Sequence, residues 1–234
     1  MKILSIDTSS EACSASLNID GNIITQFELA PQKHSSLILP MCEELLSSNE
    51  TKLTQLDAIA FGQGPGSFTG LRIAAGVVQG MAFGADLPVI KVSTLAALAQ
   101  QLARKTSGAD ILAAIDARMQ EVYWCLYRVA DNGLVAPLTD EAITPPDKIS
   151  LSDMRESNDP VYAIGSGWKE YKQILSDNTN LPETVKIYDN QLTSAEEIAL
   201  LAANMLDRGE MISADQAIPV YLRNDVAKKS AKKY

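Results

Sequence analysis

Four small clusters in this chain carry the residue types that chemistry uses. Asp7-Thr8-Ser9-Ser10 closes an apolar run, so a carboxylate, three hydroxyls and the amides of a turn come together. That set can cradle a phosphate, and Asp7 can hold a hydrated cation. Equally, the turn can satisfy its own hydroxyls and Asp7 can cap it. A second cluster, Gly62, Gly64, Pro65 and Gly66 before Ser67 and Thr69, leads into a helix, whose first amides attract anions. Its spacing is neither GxxxxGK[ST] nor GxGxxG, so the phosphate reading is weakly supported. Gly165-Ser166-Gly167 is a third glycine turn. His34 is the only histidine; its solitude excludes a multi-histidine metal site, and just before a helix it caps or packs. No GxSxG nucleophile motif occurs.

The elements that would hold these groups centre on Phe61–Gly84. Leu56–Phe61 is a short apolar run that reads as a buried strand, and Ser67 is a suitable N-cap for the helix that follows. Gly76, Gly80 and Gly84 recur at i, i+4 and i+8, in one row along that helix. Interior glycines cost roughly 1 kcal/mol each against alanine, so the row opposes the helix by about 2–3 kcal/mol. Ala75 and Ala82 keep the surroundings small. Arg72 is a cation in the first turn, where the dipole favours anions, and is better explained with an acidic partner. Three readings compete for the stretch: phosphate binding, tight packing of helix on strand, and a helix docked on a partner subunit.

The rest of the chain is ordinary. With 234 residues, 46% of them hydrophobic, there is material for one or two domains. A net charge of −9 gives no general attraction to nucleic acid or acidic membranes. Cys13, Cys42 and Cys125 have no CxxC or metal spacing and read as reduced, buried thiols of a cytoplasmic protein. Asp7 comes too early for a signal peptide, and no apolar run has transmembrane length. Strands are expected at Lys2–Ile6, Cys13–Ile19, Ile23–Leu29 and Leu87–Val92. Helices are expected at Ser35–Leu46, where Pro40 marks a start or a kink, and at Thr94–Lys105 after Ser93, ending at Ser107-Gly108.

A second half begins near 109. Ile111–Ile115, Val122–Val129 and Val161–Ile164 read as strands, with a helix near Trp168–Leu175 and a polar loop at Asn178–Thr184. Ser194-Ala195-Glu196-Glu197 is a capping box for a helix through Arg208, stopped by Gly209. ILSIDTS and LAAIDAR echo one another, both ending in Ile-Asp. The expected division is a first lobe over 1–108, a second over 109–215, and a segment at 216–234 ending in a disordered basic tail.

Two βββ-plus-helix halves with paired Ile-Asp ends fit the α/β, two-lobed actin/Hsp70/hexokinase-like (ASKHA) architecture with duplicated βββαβα units. At IDTSS, GQGPGSFTGLRIAAGVVQGMA, DARMQEVYW and IPVYLR the chain resembles the bacterial TsaB (YeaZ) family over essentially its full length. The resemblance implies a non-catalytic scaffold, without cofactor, for formation of threonylcarbamoyladenosine at position 37 of ANN-decoding tRNAs. It implies a TsaD-like catalytic subunit and a TsaE-like ATPase as partners, a homodimer when alone, no membrane, and tRNA reached only through the complex. The implied interface is Leu37, Ile38, Met41, Arg72, Ala75, Gly76, Gly80 and Phe83. Catalytic relatives hold a metal with two histidines four apart; here the first falls at His34 and the second position is Ile38, which has no donor atom. Asp7, Thr8 and Ser9 match the architecture's phosphate loop, and Gly165 and Gly167 its adenosine-side loop, as a vestigial nucleotide site. The alternative is a stand-alone ATPase or phosphotransferase using Asp7 for the cation and Asp116 as base.

Overall fold

The first five strands form one sheet in the order β3(Asn22–Leu29), β2(Ala12–Ile19), β1(Lys2–Asp7), β4(Ala58–Gly64), β5(Val89–Ser93). β3, β2 and β1 are antiparallel, and β4 and β5 join in parallel. The computed structural model describes residues 1–106, 108–151, 160–179, 181 and 185–223. The lysine-rich tail and Ser107 lie outside them. β1 is buried at every position after Lys2, the polar Ser5 and Asp7 included, because both its faces are covered. Leu4 and Ile6 pack under α1(His34–Ser48) and α2(Phe68–Ala85), whereas Ile3 faces the other way.

The second half repeats this plan strand for strand: β8(Val135–Pro137), β7(Val122–Val129), β6(Asp110–Asp116), β10(Val161–Ile164), β11(Lys186–Tyr188), with β9(Ala142–Thr144) also on β7. α4(Ser166–Thr179) follows β10 as α2 follows β4, and α5(Ala195–Asp207) follows β11 as α3(Thr94–Ala103) follows β5. The duplicated two-lobed α/β architecture is therefore present. Three details of individual elements complete the plan. α1 begins at His34, so Pro40 lies inside it, on the exposed side. Helix α4 runs to Thr179, through part of the expected loop. Pro137 is tolerated in a strand because it ends β8 at the sheet edge.

Helices do not follow the division near 108. α3 lays Leu95, Leu98 and Leu102 on Ile111, Ala113, Cys125 and Tyr127 of the second sheet. Conversely, α5 lays Ile198, Leu201 and Ala202 on Ile3, Ala58, Ala60 and Ile90 of the first. The two helices thus form a shared layer between the sheets, and the break near 108 separates the sheets only. Ser194 caps α5 by accepting a bond from the Glu196 amide.

At this seam Arg104 donates to Glu196 at 2.6 Å and lies 3.7 Å from Glu197. Burial of the Glu197 carboxyl outweighs Arg104 and raises its pKa from 4.5 to about 7. Between those values the folded chain binds a proton that the unfolded chain releases, so this contribution is complete below 4.5 and lost as pH rises through about 7. Urea unfolding across that window should lose up to about 1.4 kcal/mol per pH unit from this group. Glu197→Gln should flatten the slope; an unchanged slope in that variant would contradict the assignment.

Candidate functional site

The glycines around α2 fall into two groups with different surroundings. A side chain at Gly70 would stand 1.8 Å from the Thr8 carbonyl oxygen, and one at Gly66 would stand 2.6 Å from that of Ser9. These gaps are filled by backbone contacts: Thr8 Oγ1 donates to the Gly70 carbonyl at 2.7 Å, and the Ser67 amide donates to the Ser9 carbonyl at 2.8 Å. Ser67 also caps α2, accepting from the Gly70 amide at 3.3 Å. The turn after β1 and the turn before α2 therefore consume each other's polar groups, as tight packing requires.

Gly76, Gly80 and Gly84 are the opposite case. Each is exposed, and a side chain added there would meet nothing within 4 Å. The fold does not need these three glycines. On the same side of the molecule Phe83 is 83% exposed at the end of α2, and Leu39 is 43% exposed on α1. Both lie out of phase with the core stripes of their helices, which is the signal that marks them in the sequence.

Three expected interface residues turn inward instead. Ile38, Met41 and Ala75 are buried in the core under the first sheet, and Leu37 is half-buried. The stripe that contains them exists to cover β-strands, so it cannot also present itself to a partner. The exposed surface of α1 includes Ser36, Leu39, Pro40, Glu43 and Glu44. Arg72 is exposed, and no carboxylate pairs with it among the described residues. Its guanidinium stacks 3.7 Å from the centre of the Phe68 ring, with Tyr221 5.9 Å away.

The hydroxyl-rich turn after β1 is engaged within the chain. Asp7 is fully buried; its Oδ1 accepts from the Ser9 amide at 3.2 Å and its Oδ2 from the Thr193 hydroxyl. Ser9 Oγ donates in turn to Thr193 Oγ1 at 2.9 Å. Burial raises the Asp7 pKa despite those bonds. A side chain at Gly62 would stand 2.6 Å from Asp7 Oδ1, so that glycine gives the carboxylate its room. Thr193, absent from the sequence reading, lies 186 residues from Asp7, and no local pattern marks it.

In the second lobe Gly165 and Gly167 lie against Ala114 of β6: side chains there would approach it to 2.3 and 3.1 Å. Ser166 Oγ accepts from the Asp116 amide at 3.0 Å, and Asp116 Oδ1 accepts from the Arg118 amide at 2.9 Å. His34 is buried, and its Nε2 lies 3.2 Å from the Ala12 carbonyl. A carbonyl only accepts, so Nε2 carries the proton. Four residues on, Ile38 is fully buried. Among the described residues, no group of three or more His, Cys, Asp or Glu side chains could hold a metal ion.

Comparison with known proteins gives consistent matches. A family model described as TsaD, tRNA N6-adenosine threonylcarbamoyltransferase, matches residues 22–231. The chain is 41% identical to the tRNA threonylcarbamoyladenosine biosynthesis protein TsaB of Escherichia coli (strain K12), covering 97% of this chain and 96% of that protein. It is 39% identical to the protein of the same name from Haemophilus influenzae, covering 97% and 95%. Among solved structures, YeaZ from Pseudomonas aeruginosa superimposes with a TM-score of 0.85 at 40% identity, over 94% of this chain and 99% of that one.

The two glycine groups should separate in stability measurements. Gly80→Ala should raise the unfolding free energy by about 1 kcal/mol, because helix propensity is gained and nothing is struck. Gly70→Ala should lower it by about 3 kcal/mol or more, through collision with the Thr8 carbonyl. Thermal or urea unfolding of the two variants checks both signs.

Proposed function

The chain belongs to the TsaB (YeaZ) family, and from that premise we propose that it is the non-catalytic scaffold subunit of a threonylcarbamoyladenosine-forming assembly. The product is the modified adenosine 37 of ANN-decoding tRNAs, formed in the cytoplasm. A TsaD-like subunit performs the transfer and docks on the outer side of α1 and α2. A TsaE-like ATPase joins the pair, and in the partner's absence the same surface associates with a second copy.

The open row of Gly76, Gly80 and Gly84 carries this reading. It opposes α2 by about 2–3 kcal/mol without serving a contact in the free chain. A neighbouring helix that comes close enough to touch backbone accounts for the sacrifice. Phe83 and Leu39 add apolar surface beside that helix pair. The non-catalytic part of the reading is supported by His34, whose ring is tied to the Ala12 carbonyl, and by Ile38 in the place of a second ligand. Asp7 and Thr193 likewise spend their polar groups on one another. With a net charge of −9, contact with tRNA falls to the assembly.

Co-purification with a TsaD-like subunit tests the proposal. The wild-type chain should bring that subunit down and support transfer only in its company. Gly80→Leu should abolish the pairing while leaving circular dichroism and the unfolding midpoint of the free chain near wild type. Full-strength pairing by Gly80→Leu would refute the surface assignment. Calorimetric titration with Mg·ATP discriminates the other reading, since micromolar binding with turnover by the isolated chain would favour a stand-alone ATPase or phosphotransferase.

A further inference from the structure

Three segments far apart in sequence meet at the foot of the glycine row. Phe68 and Arg72 continue the same i, i+4 row toward the start of α2. Against them lies Pro219–Arg223. The Val220 amide donates to the Gln63 carbonyl at 2.9 Å, and the Val220 carbonyl sits 2.9 Å from where a Gly64 side chain would begin. Gly64 has φ +115°, so glycine is favoured there on two counts. The Tyr221 ring is 5.5 Å from that of Phe68, and its hydroxyl accepts from Arg72 Nε at 3.0 Å.

The far end of this segment is held by the other lobe. Arg223 donates to the Glu121 carboxylate and, at 3.4 Å, to the Arg118 carbonyl in the turn between β6 and β7. That turn is itself unusual: Arg118, Met119 and Gln120 are consecutive non-glycine residues with φ of 60°, 56° and 62°. The segment therefore runs as a strap from the second lobe to the first two turns of α2. There it fixes the one charged side chain on that helix.

Arg72 is held but not used up. The phenol engages Nε and the Phe68 ring covers one side of the guanidinium. Neither Nη atom has a partner among the described residues. A cation in the second turn of a helix, preorganised on aromatic rings with its fork free, is suited to a carboxylate. We propose that Pro219–Arg223 belongs to the docking surface, and that Tyr221 is a positioning residue. It orients Arg72 to receive a carboxylate side chain of the TsaD-like subunit as a helix of that subunit lies along the glycine row. Arg223 anchors the strap. This rests on the docking reading given under Proposed function.

A double-mutant cycle on the full-length chain tests it, with binding to the TsaD-like subunit measured by calorimetry. Tyr221→Phe, which keeps the ring and loses the bond to Nε, should weaken binding about threefold to tenfold. Tyr221→Leu should weaken it further. In an Arg72→Ala background Tyr221→Phe should change nothing. Wild-type affinity in both Tyr221 variants, or equal losses in both backgrounds, would overturn the positioning role. An effect confined to self-association would overturn the choice of occupant.

A second measurement needs no partner. The Arg72 Nε–H signal in nitrogen-15 NMR of the free chain should exchange slowly in wild type and quickly in Tyr221→Phe. Rapid exchange in wild type would overturn the positioning claim. Failure of the wild-type chain to bind the subunit would instead bring down the docking reading, and the NMR signal would still decide the contact between Arg72 and Tyr221.

Discussion

Everything on the first lobe depends on how closely α2 lies against the turn that follows β1. At Gly70 the helix backbone comes within side-chain distance of the Thr8 carbonyl, and Thr8 in turn bonds to the Gly70 carbonyl. That contact fixes the helix on the sheet at its N-terminal end. It also commits the hydroxyl-rich turn: Ser9 gives its carbonyl to the Ser67 amide, its own amide to Asp7 and its hydroxyl to Thr193. The turn is thus tied into the protein from several sides.

The same helix then leaves the opposite kind of surface. Past Arg72 its outer row has no side chains, and nothing of the chain fills the space. A fold that spends glycine inside to bring elements together, and glycine outside where alanine would be more stable, has two separate constraints on one helix. The inner one is met by this chain alone. The outer one points to another molecule, and the family to which the chain belongs supplies a candidate.

Much of this was legible in order. The strand β2, the apolar run of β4, the caps at Ser67, Ser93 and Ser194, and the stop at Gly209 all follow from local rules, and the structure has each of them. What local rules miss is long-range. The bond from Thr193 to Asp7 spans 186 residues, and that from Arg72 to Tyr221 spans 149. The apolar stripe of α1 is visible in sequence, but periodicity says only that it is buried, not by what. The resemblance implies a partner interface at Ile38 and Met41, and the structure has both in the core. Helix α3 carried a usable hint: Leu95, Ala97, Leu98, Ala99 and Leu102 are buried around most of its circumference, as expected of a helix between two sheets.

The central claim is that the outer side of α1 and α2 is a docking surface for a heterologous subunit. Hydroxyl-radical footprinting of the chain with and without a TsaD-like subunit addresses it most directly, because Phe83 and Leu39 are exposed, readily oxidised reporters beside the glycine row. The account predicts that the subunit shields both, while Phe27 and Leu29 on the edge strand β3 keep their free-chain reactivity. Undiminished oxidation of Phe83 and Leu39 in a complex that has formed would contradict it.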